Sequence, residues 1–402
     1  MKRLRTLVVM HSTLVPPDTL EGHSQKDIEE WRIEFDVVST LKKSGHEVRC
    51  LGISDSVEEL RSVITEWKPE IVFNLLEEFD GIVTYDQHVV AFLELLRQPY
   101  TGCNPRGLLL ARDKPLSKQL LAYHRIPSPQ FAVFRRGLKL RLPRKVKYPL
   151  FVKSTTEDAS LGISQASIVT DKALSKQLLA FHRIPSPQFA VFRRGPKVRL
   201  PRNIKYPLFV KSTTEDASLG ISQASIVTDK QQLKQRIQFV HDQVQTDALV
   251  EEYIEGRELY VGVMGNDRLT RLPVWEMKFG SLSETSAGIA TRRVKWDKKY
   301  QKKHGIDTYE AKDLAPAVIA RLDKLSRRVY RCLGLSGCAR IDYRMNAEGQ
   351  IYVIEANPNP NLAAEEDFAQ SAKAAGVAYA ELLEKLLALG AGYQAEWRAY
   401  YE

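Results

Sequence analysis

The sequence is poor in the features that mark a disulfide framework, a membrane span or a dinucleotide site. Its 402 residues include only 4 cysteines, with no CxxC pair and no histidine at metal-ligand spacing, so we expect reduced thiols and a cytoplasmic protein. No apolar run approaches the roughly 20 residues of a membrane helix, and the run near the N-terminus is too short for a signal peptide. No glycine-rich fingerprint follows the first predicted strand, which argues against a dinucleotide cofactor there.

Positive charge is concentrated in one part of the chain. The formal net charge is +10, but residues 114–171 carry 11 Lys and Arg against 3 Asp and Glu, and residues 172–229 carry 10 against 3, which leaves −5 for the remainder. Because the basic excess belongs to one repeated segment, we do not expect nucleic acid as a partner. The rival interpretation, an RNA-binding module, requires an affinity that falls steeply with salt.

These two basic segments are copies of each other, identical at 52 of 58 positions. Structural repeats do not keep such identity, and two units are too few for a stacked array. We interpret them as a tandem duplication; a single copy would leave a chain of 344 residues. The extra segment has two ways to fit: it loops out as a small subdomain, or it is exchanged between the protomers of a homodimer.

Strands and helices alternate over residues 1–112. Apolar runs predict strands over 4–11, 47–53, 71–76 and 99–102, and helical periodicity predicts helices over 27–44, 57–67 and 87–96. This alternation is typical of an α/β domain with a doubly wound, mostly parallel sheet.

The stretch ARIDYRMNAEGQIYVIEANPNPNL, residues 339–362, predicts a β-hairpin that carries acidic and amide side chains. One strand contains Arg340 and Asp342, the chain turns at 346–349, and a second strand over 350–354 delivers Glu355 and Asn357. Paired in this way, Asp342, Glu355 and Asn357 are able to point to one face. Two carboxylates and an amide oxygen suit Mg²⁺ or Mn²⁺ held against phosphates, whereas a surface hairpin with solvated acids is the plainer alternative.

ARID, the hairpin and EANPNP together resemble the metal-binding end of the ATP-grasp ligases, most closely the D-alanine–D-alanine ligase type. The similarity covers nearly the whole chain apart from the duplication. It implies an ATP-dependent, ADP-forming carboxylate–amine ligase, in which a small-molecule carboxylate attacks the γ-phosphate and a small-molecule amine captures the acyl phosphate. It also implies ATP and Mg²⁺ as cofactors, metal binding by Asp342, Glu355 and Asn357, and stabilisation of the reaction centre by Arg340.

The resemblance further implies a domain order. A Rossmann-like domain that precedes the ATP-grasp unit occupies 1–112, and the ends of its strands help to enclose the substrate. The first copy of the repeat occupies 113–171, the second copy and the central subdomain occupy 172–248, and the C-terminal α+β subdomain with the metal site occupies 249–402. The elements predicted for this unit are helices over 230–244, 315–333 and 368–389 and strands over 248–254, 260–264 and 272–279.

Each copy of the repeat contains FVKSTTEDASLGIS, a strand with a lysine followed by a loop of small residues. Such a lysine and the backbone N–H groups of the loop can surround ATP phosphates, although the bare pattern is equally typical of an ordinary turn. The resemblance favours the phosphate loop. Because the second copy runs directly into the next helix and strand, we assign Lys211, Ser218 and Gly220 to the site and regard Lys153 and Ser160 as their idle duplicates.

The lysine that begins the helix of the repeat stays ambiguous between Lys114 and Lys172. Lys114 follows the N-terminal domain, while Lys172 precedes the assigned loop. A hybrid with the helix of the first copy and the loop of the second is equally well connected, and it places Lys114 at the ATP site.

The resemblance assigns the remaining ATP contacts to residues 248–313. Glu251, Glu252 and Ile254 line the adenine, and Glu258 binds the ribose. The polar segment 281–313, which is poor in strand and helix signals, is expected to be an active-site lid. Within it, Lys295 matches a lysine of the family that reaches the γ-phosphate, although the stretch VKWDKKYQKK offers several other lysines.

Three departures from the D-alanine–D-alanine ligases fall on substrate recognition. Glu77 and Glu78 replace a His-Gly pair and either meet a cationic substrate group or form an ordinary charged loop. The other departures are Asp216 and Ala217 in the phosphate loop, and Asn361, Glu365 and Glu366 after EANPNP, where the family usually holds the carboxylate of the second substrate. Acidic side chains in that carboxylate pocket would repel its ligand, so D-alanyl-D-alanine is a doubtful product. An ATP-binding protein without ligase activity, disabled by the duplication, is the alternative function.

Overall fold

The computed structural model describes residues 3–128, 131–132, 150–151, 190–192, 208–212, 226–227, 229–239, 248–252, 254–279 and 298–395. Most of both copies of the repeat lies outside these ranges. The predicted site residues that also lie outside them are Ser218, Gly220 and Lys295, together with Lys153, Ser160, Lys172, Asp216 and Ala217.

The N-terminal domain contains a three-stranded sheet in the order β2-β1-β3, with both pairs parallel. Alternate residues of the central strand belong to different cores, since Leu7 packs in one buried cluster and Val8 in the other. Both faces are therefore covered, as a doubly wound sheet requires. The strand predicted over 99–102 is reduced to one parallel bridge between Val72 and Tyr100. The strands are β1 (Arg5–His11), β2 (Glu47–Ile53) and β3 (Ile71–Asn74).

The helix predicted over 27–44 is wrong in one respect, because it is two helices. Ser24 and Asp27 form a capping box at the first, and Trp31 breaks the run with φ −116° and ψ 25°. The Trp31 side chain is buried, so tertiary packing overrides the helical pattern at that residue. The helices of this domain are α1 (Gln25–Glu30), α2 (Arg32–Lys43), α3 (Glu58–Trp67), α4 (Asp86–Leu95) and α5 (Pro105–Arg112).

The central region is described in short pieces that come from both copies of the repeat. The first copy supplies α6 (Lys114–Tyr123), β4 (Phe131–Ala132) and β5 (Leu150–Phe151). The second copy and the residues after it supply β6 (Ala190–Phe192), β7 (Leu208–Ser212), β8 (Ile226–Val227), α7 (Lys230–Phe239) and β9 (Ala248–Glu252). Strands of both copies pair antiparallel with β9.

The C-terminal sheet has five strands in the order β12-β11-β10-β13-β14, and all neighbours are antiparallel. The predicted turn at 346–349 is confirmed, with the Gly349 N–H donating to the Asn346 carbonyl at 3.0 Å. The strands are β10 (Arg257–Met264), β11 (Thr270–Lys278), β12 (Asp307–Glu310), β13 (Cys338–Met345) and β14 (Ile351–Asn357).

Regular structure also occurs in one segment that was predicted to have little of it, and two predicted helices have other bounds in the structure. The segment 281–313 contains α8 (Lys298–His304) and β12, so its second half is not a structureless lid. The helix predicted over 315–333 is α9 (Pro316–Cys332). The closing helix predicted over 368–389 is two helices, α10 (Asp367–Ala374) and α11 (Tyr379–Gly392), separated at Gly376, whose φ of +81° ends a helix.

The N-terminal domain and the C-terminal sheet share their cores. One buried cluster joins Leu7 of β1 to Val261 of β10, and another joins Val8 of β1 to Met264 of β10 through α11. This packing fixes the carboxyl ends of β1 and β3 relative to the β13–β14 hairpin. Within the described residues, no helix combines the length and the apolar character needed to cross a bilayer.

Candidate active site

One face of the C-terminal sheet carries the four predicted residues of the hairpin: Arg340, Asp342, Glu355 and Asn357. Asp342 of β13 is directly opposite Glu355 of β14, and Arg340 is opposite Asn357. Opposed residues of an antiparallel pair project to the same face, as do residues two apart on one strand. The strand that carries Glu355 and Asn357 extends three residues beyond the predicted end at 354.

A β-bulge in β14 produces this arrangement. Asp342 pairs with Glu355 but the next residue, Tyr343, pairs with Val353, so Ile354 is an extra residue on β14. Val353 is fully buried in the core beneath α9. In a strand of the same sequence without the bulge, Glu355 and Asn357 would follow Val353 to that core face, because side chains alternate along a strand. The bulge turns both candidate ligands to the opposite face.

Arg340 and Asp342 form a bidentate ion pair on this face. The guanidinium donates to both carboxylate oxygens, with Nε–Oδ1 2.8 Å and Nη2–Oδ2 2.9 Å, and it lies 4.8 Å from the ring centre of Tyr260. Burial alone would lower the pKa of Arg340, but the charge and hydrogen bonds of Asp342 raise it well above its ordinary value. Arg340 is therefore a fixed positive charge beside the predicted metal ligands.

Glu258, the predicted ribose ligand, is fixed by two side chains that the sequence analysis missed. Arg344 donates to Oε2 at 2.6 Å and the Tyr260 hydroxyl donates to Oε1 at 2.8 Å. Burial, followed by the charge of Glu258, raises the pKa of Tyr260, so its hydroxyl keeps the proton that it donates. Both residues had a signal in the sequence, because Arg344 lies two residues from Asp342 and Tyr260 two residues from Glu258 on predicted strands.

The donor set of the hairpin fits a hard divalent cation. It consists of two carboxylates and one amide oxygen on one sheet face, which is the ligand chemistry that Mg²⁺ prefers. Within the described residues, no three acidic, histidine or cysteine side chains come together as a metal site, and the set predicted at the hairpin contains two such side chains besides the amide of Asn357. The cysteines are free thiols, and burial raises the pKa of Cys103 and Cys338 to about 12.

A buried ion pair connects the N-terminal domain to the loop after the hairpin. Arg112 of α5, which is 4% exposed, donates from Nε to Asp86 of α4 at 2.9 Å. Asn359 of the EANPNP segment approaches the same carboxylate at 3.5 Å, and Arg112 also reaches the Glu77 carbonyl at 3.4 Å. The network holds the residues that follow Asn357 against the N-terminal domain.

Acidic side chains collect where β1 and β3 end. Glu78 is buried and lies 3.8 Å from His11, while Glu77 is exposed. Glu34 of α2 is only 3% exposed, and its Oε2 atom has no hydrogen-bond partner among the described residues. The sequence analysis missed Glu34, although an acid on the apolar stripe of α2, three residues before Val37, was a detectable signal.

The remaining predicted ATP contacts are described only in part. Ile254 is buried between β9 and β10 in the chain. Lys211 lies opposite Leu249 on the β7–β9 pair, and Phe209 lies opposite Glu251, which places the backbones of the predicted lysine and adenine segments on adjacent strands. Lys114 begins α6, and Glu252 ends β9. Of the residues that replace the second-substrate motif, Glu365 is exposed and lies 4.0 Å from Arg32.

The two copies of the repeat occupy the same register on β9. Ala132 and Ala190, equivalent residues of the two copies, both lie opposite Val250. A strand offers only two edges, so the copies compete for one place in the sheet. The helix of the first copy, α6, is followed by Pro127, whose carbonyl accepts a hydrogen bond from Val353 of β14 at 2.9 Å.

The chain is similar to D-alanine–D-alanine ligases in both sequence and fold. A family model described as D-ala D-ala ligase C-terminus matches residues 178–388, a match that begins inside the second copy of the repeat. An uncharacterised protein of Sinorhizobium fredii is 27% identical, over 89% of this chain and 86% of its own length. D-Alanine–D-alanine ligase B of Chromobacterium violaceum is 28% identical, over 87% of this chain and 89% of its own.

Two further similarities extend this result. The D-alanine–D-alanine ligase of Carboxydothermus hydrogenoformans is 30% identical over 57% of this chain and 71% of its own. The crystal structure of the Bacillus anthracis D-alanine–D-alanine ligase complexed with ATP superposes with a TM-score of 0.60 at 19% identity, covering 97% of both chains. At that identity the superposition establishes the fold, with the ATP-grasp arrangement of a parallel and an antiparallel sheet.

Proposed function

The chain belongs to the D-ala D-ala ligase C-terminal family and is an ADP-forming carbon–nitrogen ligase of the ATP-grasp fold, and on this premise we propose that it joins a carboxylate to an amine through an acyl phosphate. The observation that carries this proposal is the shared face of Arg340, Asp342, Glu355 and Asn357. It combines a fixed cation with an all-oxygen ligand set, as the transfer of a phosphoryl group requires.

In the proposed mechanism, Asp342, Glu355 and Asn357 would hold Mg²⁺ at the hairpin. A bound Mg²⁺ would supply charge that neutralises the phosphates while the substrate carboxylate attacks the γ-phosphate. Because the Arg340 guanidinium is held in place by Asp342, its charge is preorganised to stabilise the acyl phosphate and the tetrahedral intermediate.

The nucleotide is proposed to bind between the β7–β9 strands and β10. Glu258 is fixed by Arg344 and Tyr260, and a carboxylate accepts about four hydrogen bonds, so it can also accept those of the ribose hydroxyls. Ile254 and the segment of Glu251 and Glu252 line the adenine in this proposal. The phosphate contacts are assigned to Lys114, Lys211, Ser218, Gly220 and Lys295.

The proposed site is a hybrid of the two copies. The docking of Pro127 on β14 supports a helix from the first copy, and the unbroken match of the family from residue 178 supports a loop from the second. The product we propose is an amide other than D-alanyl-D-alanine, because Glu77, Glu78 and Glu365 stand where the family has other substrate contacts.

The test is ADP release with Mg²⁺-ATP and a panel of amino acids, on the full chain and on two shortened chains. One lacks residues 114–171 and the other lacks residues 129–186, so that each retains 344 residues. They differ at Pro115 and Tyr123, which the second deletion keeps and the first replaces by their Ala173 and Phe181 equivalents. ADP release that depends on an added amino acid supports the ligase; ADP release from none of the three chains would overturn it.

An ATP-binding protein without ligase activity is the second candidate. The observation in its favour is the competition of both copies for Val250 of β9, which would disturb the ATP cleft. It predicts that the full chain binds ATP without releasing ADP, while the shortened chains are active.

A further inference from the structure

Asp367, the first residue of α10, is an acid beside Arg340 that makes no hydrogen bond among the described residues. Its Oδ2 atom lies 4.0 Å from Nη1 of Arg340, which is longer than a hydrogen bond. Within the same residues, Arg340 donates only from Nε and Nη2, and both bonds go to Asp342. A donor and an acceptor thus face each other at the proposed reaction centre without bonding to each other.

The start of α10 is packed against the sheet that carries Arg340. Phe368 is 2% exposed and lies over Gly262 of β10, where even a methyl group would come within 3.1 Å of its ring. Gly262 is directly opposite Arg340 in the β10–β13 pair. One turn along the helix from Asp367, the Ser371 hydroxyl donates to a carbonyl of β11 at 2.7 Å. Packing therefore sets the position of Asp367, which does not depend on the long ion pair.

The two facing groups match the two polar atoms that form at the reacting carbon. In the tetrahedral intermediate of the proposed reaction, this carbon carries a negatively charged oxygen and the nitrogen that has attacked it. Arg340 supplies a donor for the oxygen, and Asp367 supplies an acceptor for an N–H of the nitrogen. Their side chains are 18% and 17% exposed, so both can touch a bound molecule.

An amine fits Asp367 better than a metal ion does. Arg340 contacts both Asp342 and Asp367, and its positive charge would repel a metal ion bound at Asp367. A neutral amine is not repelled in this way, and its N–H groups need only an acceptor.

We propose that Asp367 binds the nitrogen of the amine substrate and accepts its proton as the amide forms. In this step the neutral amine attacks the carbonyl carbon of the acyl phosphate, and the C–N bond forms. The C–O bond to the phosphate breaks, and the phosphate leaves with that electron pair. The proton of the nitrogen passes to the Asp367 carboxylate and from there to the departing phosphate. This inference rests on the proposed ligase function and adds the residue that handles its second substrate.

The experiment lets two nucleophiles compete for one acyl phosphate. Each reaction contains Mg²⁺-ATP, one or two amino acids of the panel and hydroxylamine, and mass spectrometry measures the amide and the hydroxamate that form. Hydroxylamine is neutral near neutral pH and only weakly basic, so it attacks and loses its proton to water without a protein acceptor. The variants are Asp367→Asn and Asp367→Glu, and Glu59→Gln, an exposed acid in the first turn of α3, is the matched control. All are made in the full chain and in both shortened chains, so that the comparison does not depend on the duplication.

We expect Asp367→Asn to lower the ratio of amide to hydroxamate about 100-fold, as the loss of a proton acceptor does. Asp367→Glu keeps a carboxylate on a longer side chain, so its ratio should lie between those of the Asn variant and the parent. Glu59→Gln should keep the parent ratio. A variant that is only less stable loses both products alike, so the ratio separates the proposed role from a structural one.

A ratio that Asp367→Asn changes by less than about threefold would overturn the role of Asp367. A folded Asn variant that forms neither product would also overturn it, since Asp367 would then act before the amine is captured. If the parent releases ADP and the Asn variant keeps its ratio, only this proposal fails. If no version of the parent chain releases ADP, the ligase and this proposal fail together.

Discussion

Asp342 and Glu34 are buried carboxylates with nearly equal exposure, 5% and 3%. They differ in their surroundings, because only Asp342 has a cationic partner among the described residues. Asp342 accepts two hydrogen bonds from Arg340, so its charge is compensated inside the protein. Glu34 has one oxygen without a hydrogen bond among the described residues and a second acid nearby. Arg340 thus supplies positive charge on the hairpin side of the cleft, whereas Glu34 of α2 keeps its proton, because burial raises its pKa to about 8.

Removal of the compensated acid is expected to have the largest effect. Asp342→Asn takes away a proposed metal ligand and the partner that orients Arg340, so we expect ADP release to fall on the order of 10²–10³-fold. Steady-state kinetics on the most active version of the chain measures this. Glu348→Gln, in the exposed turn of the same hairpin, is the control and should keep the parent rate. A loss of less than about tenfold would contradict the role of Asp342.

The second effect concerns stability, and it tests how much a buried ion pair contributes when one partner loses its charge. Asp86→Asn leaves the buried Arg112 guanidinium without its carboxylate, so the free energy of unfolding should fall by about 3–5 kcal/mol. Urea denaturation gives the value. Asp323→Asn, which breaks a half-exposed pair with Arg327, should cost less than about 1 kcal/mol. Similar losses in the two variants would show that burial of the ion pair is unimportant.

The third effect has the opposite sign. The pKa of Glu34 is raised from 4.5 to about 8, so the folded chain keeps a proton that the unfolded chain releases between these values. Stability therefore falls as the pH rises through this window. Glu34→Gln should raise the free energy of unfolding by roughly 2–4 kcal/mol at pH 8.5 and change it little at pH 4.5. A stabilisation equal at both pH values would contradict the raised pKa; Glu59→Gln should show none at either.

The smallest effect concerns Glu258, which keeps its ion pair with Arg344 when Tyr260 is replaced. Tyr260→Phe removes the hydroxyl that donates to Glu258 and leaves the ion pair with Arg344 intact. We expect about 1 kcal/mol weaker ATP binding, close to a fivefold higher KM for ATP, with kcat nearly unchanged. Initial rates at varied ATP concentration measure both constants. A fall in kcat larger than the rise in KM would mean that Tyr260 acts on the reaction centre, where it contacts Arg340.

The sequence was most informative where the chemistry is local. Arg340, Asp342, Glu355 and Asn357 occur within 18 residues, and strand periodicity alone placed them on adjacent strands. The capping box at Ser24 and the turn at Asn346 were equally local signals. The break between α10 and α11 also had a local signal, a glycine followed by a β-branched residue at Gly376 and Val377, but the prediction of one helix over 368–389 did not use it.

Other features depend on contacts between distant residues. Trp31 has no helix-breaking character of its own, and its burial in the N-terminal domain decides where α1 ends. The effect of Glu77 on the pKa of Glu34 depends on the folded chain, because the two acids are far apart in the sequence. Neither the competition of two repeat copies for β9 nor the bond from Val353 to Pro127 follows from residue patterns, because each depends on the register that the sheet adopts.

The bulge at Ile354 is the one point of β14 where a change in length would leave the faces of the strand as they are. Deletion of Ile354 would make Val353 and Glu355 consecutive residues, which alternate to opposite faces, so the pairing of Val353 with Tyr343 and of Glu355 with Asp342 would continue without a bulge. Deletion of Ala356 would instead turn Asn357 to the core face and separate it from Glu355. The bulge therefore absorbs one residue that the rest of the strand has no means to absorb.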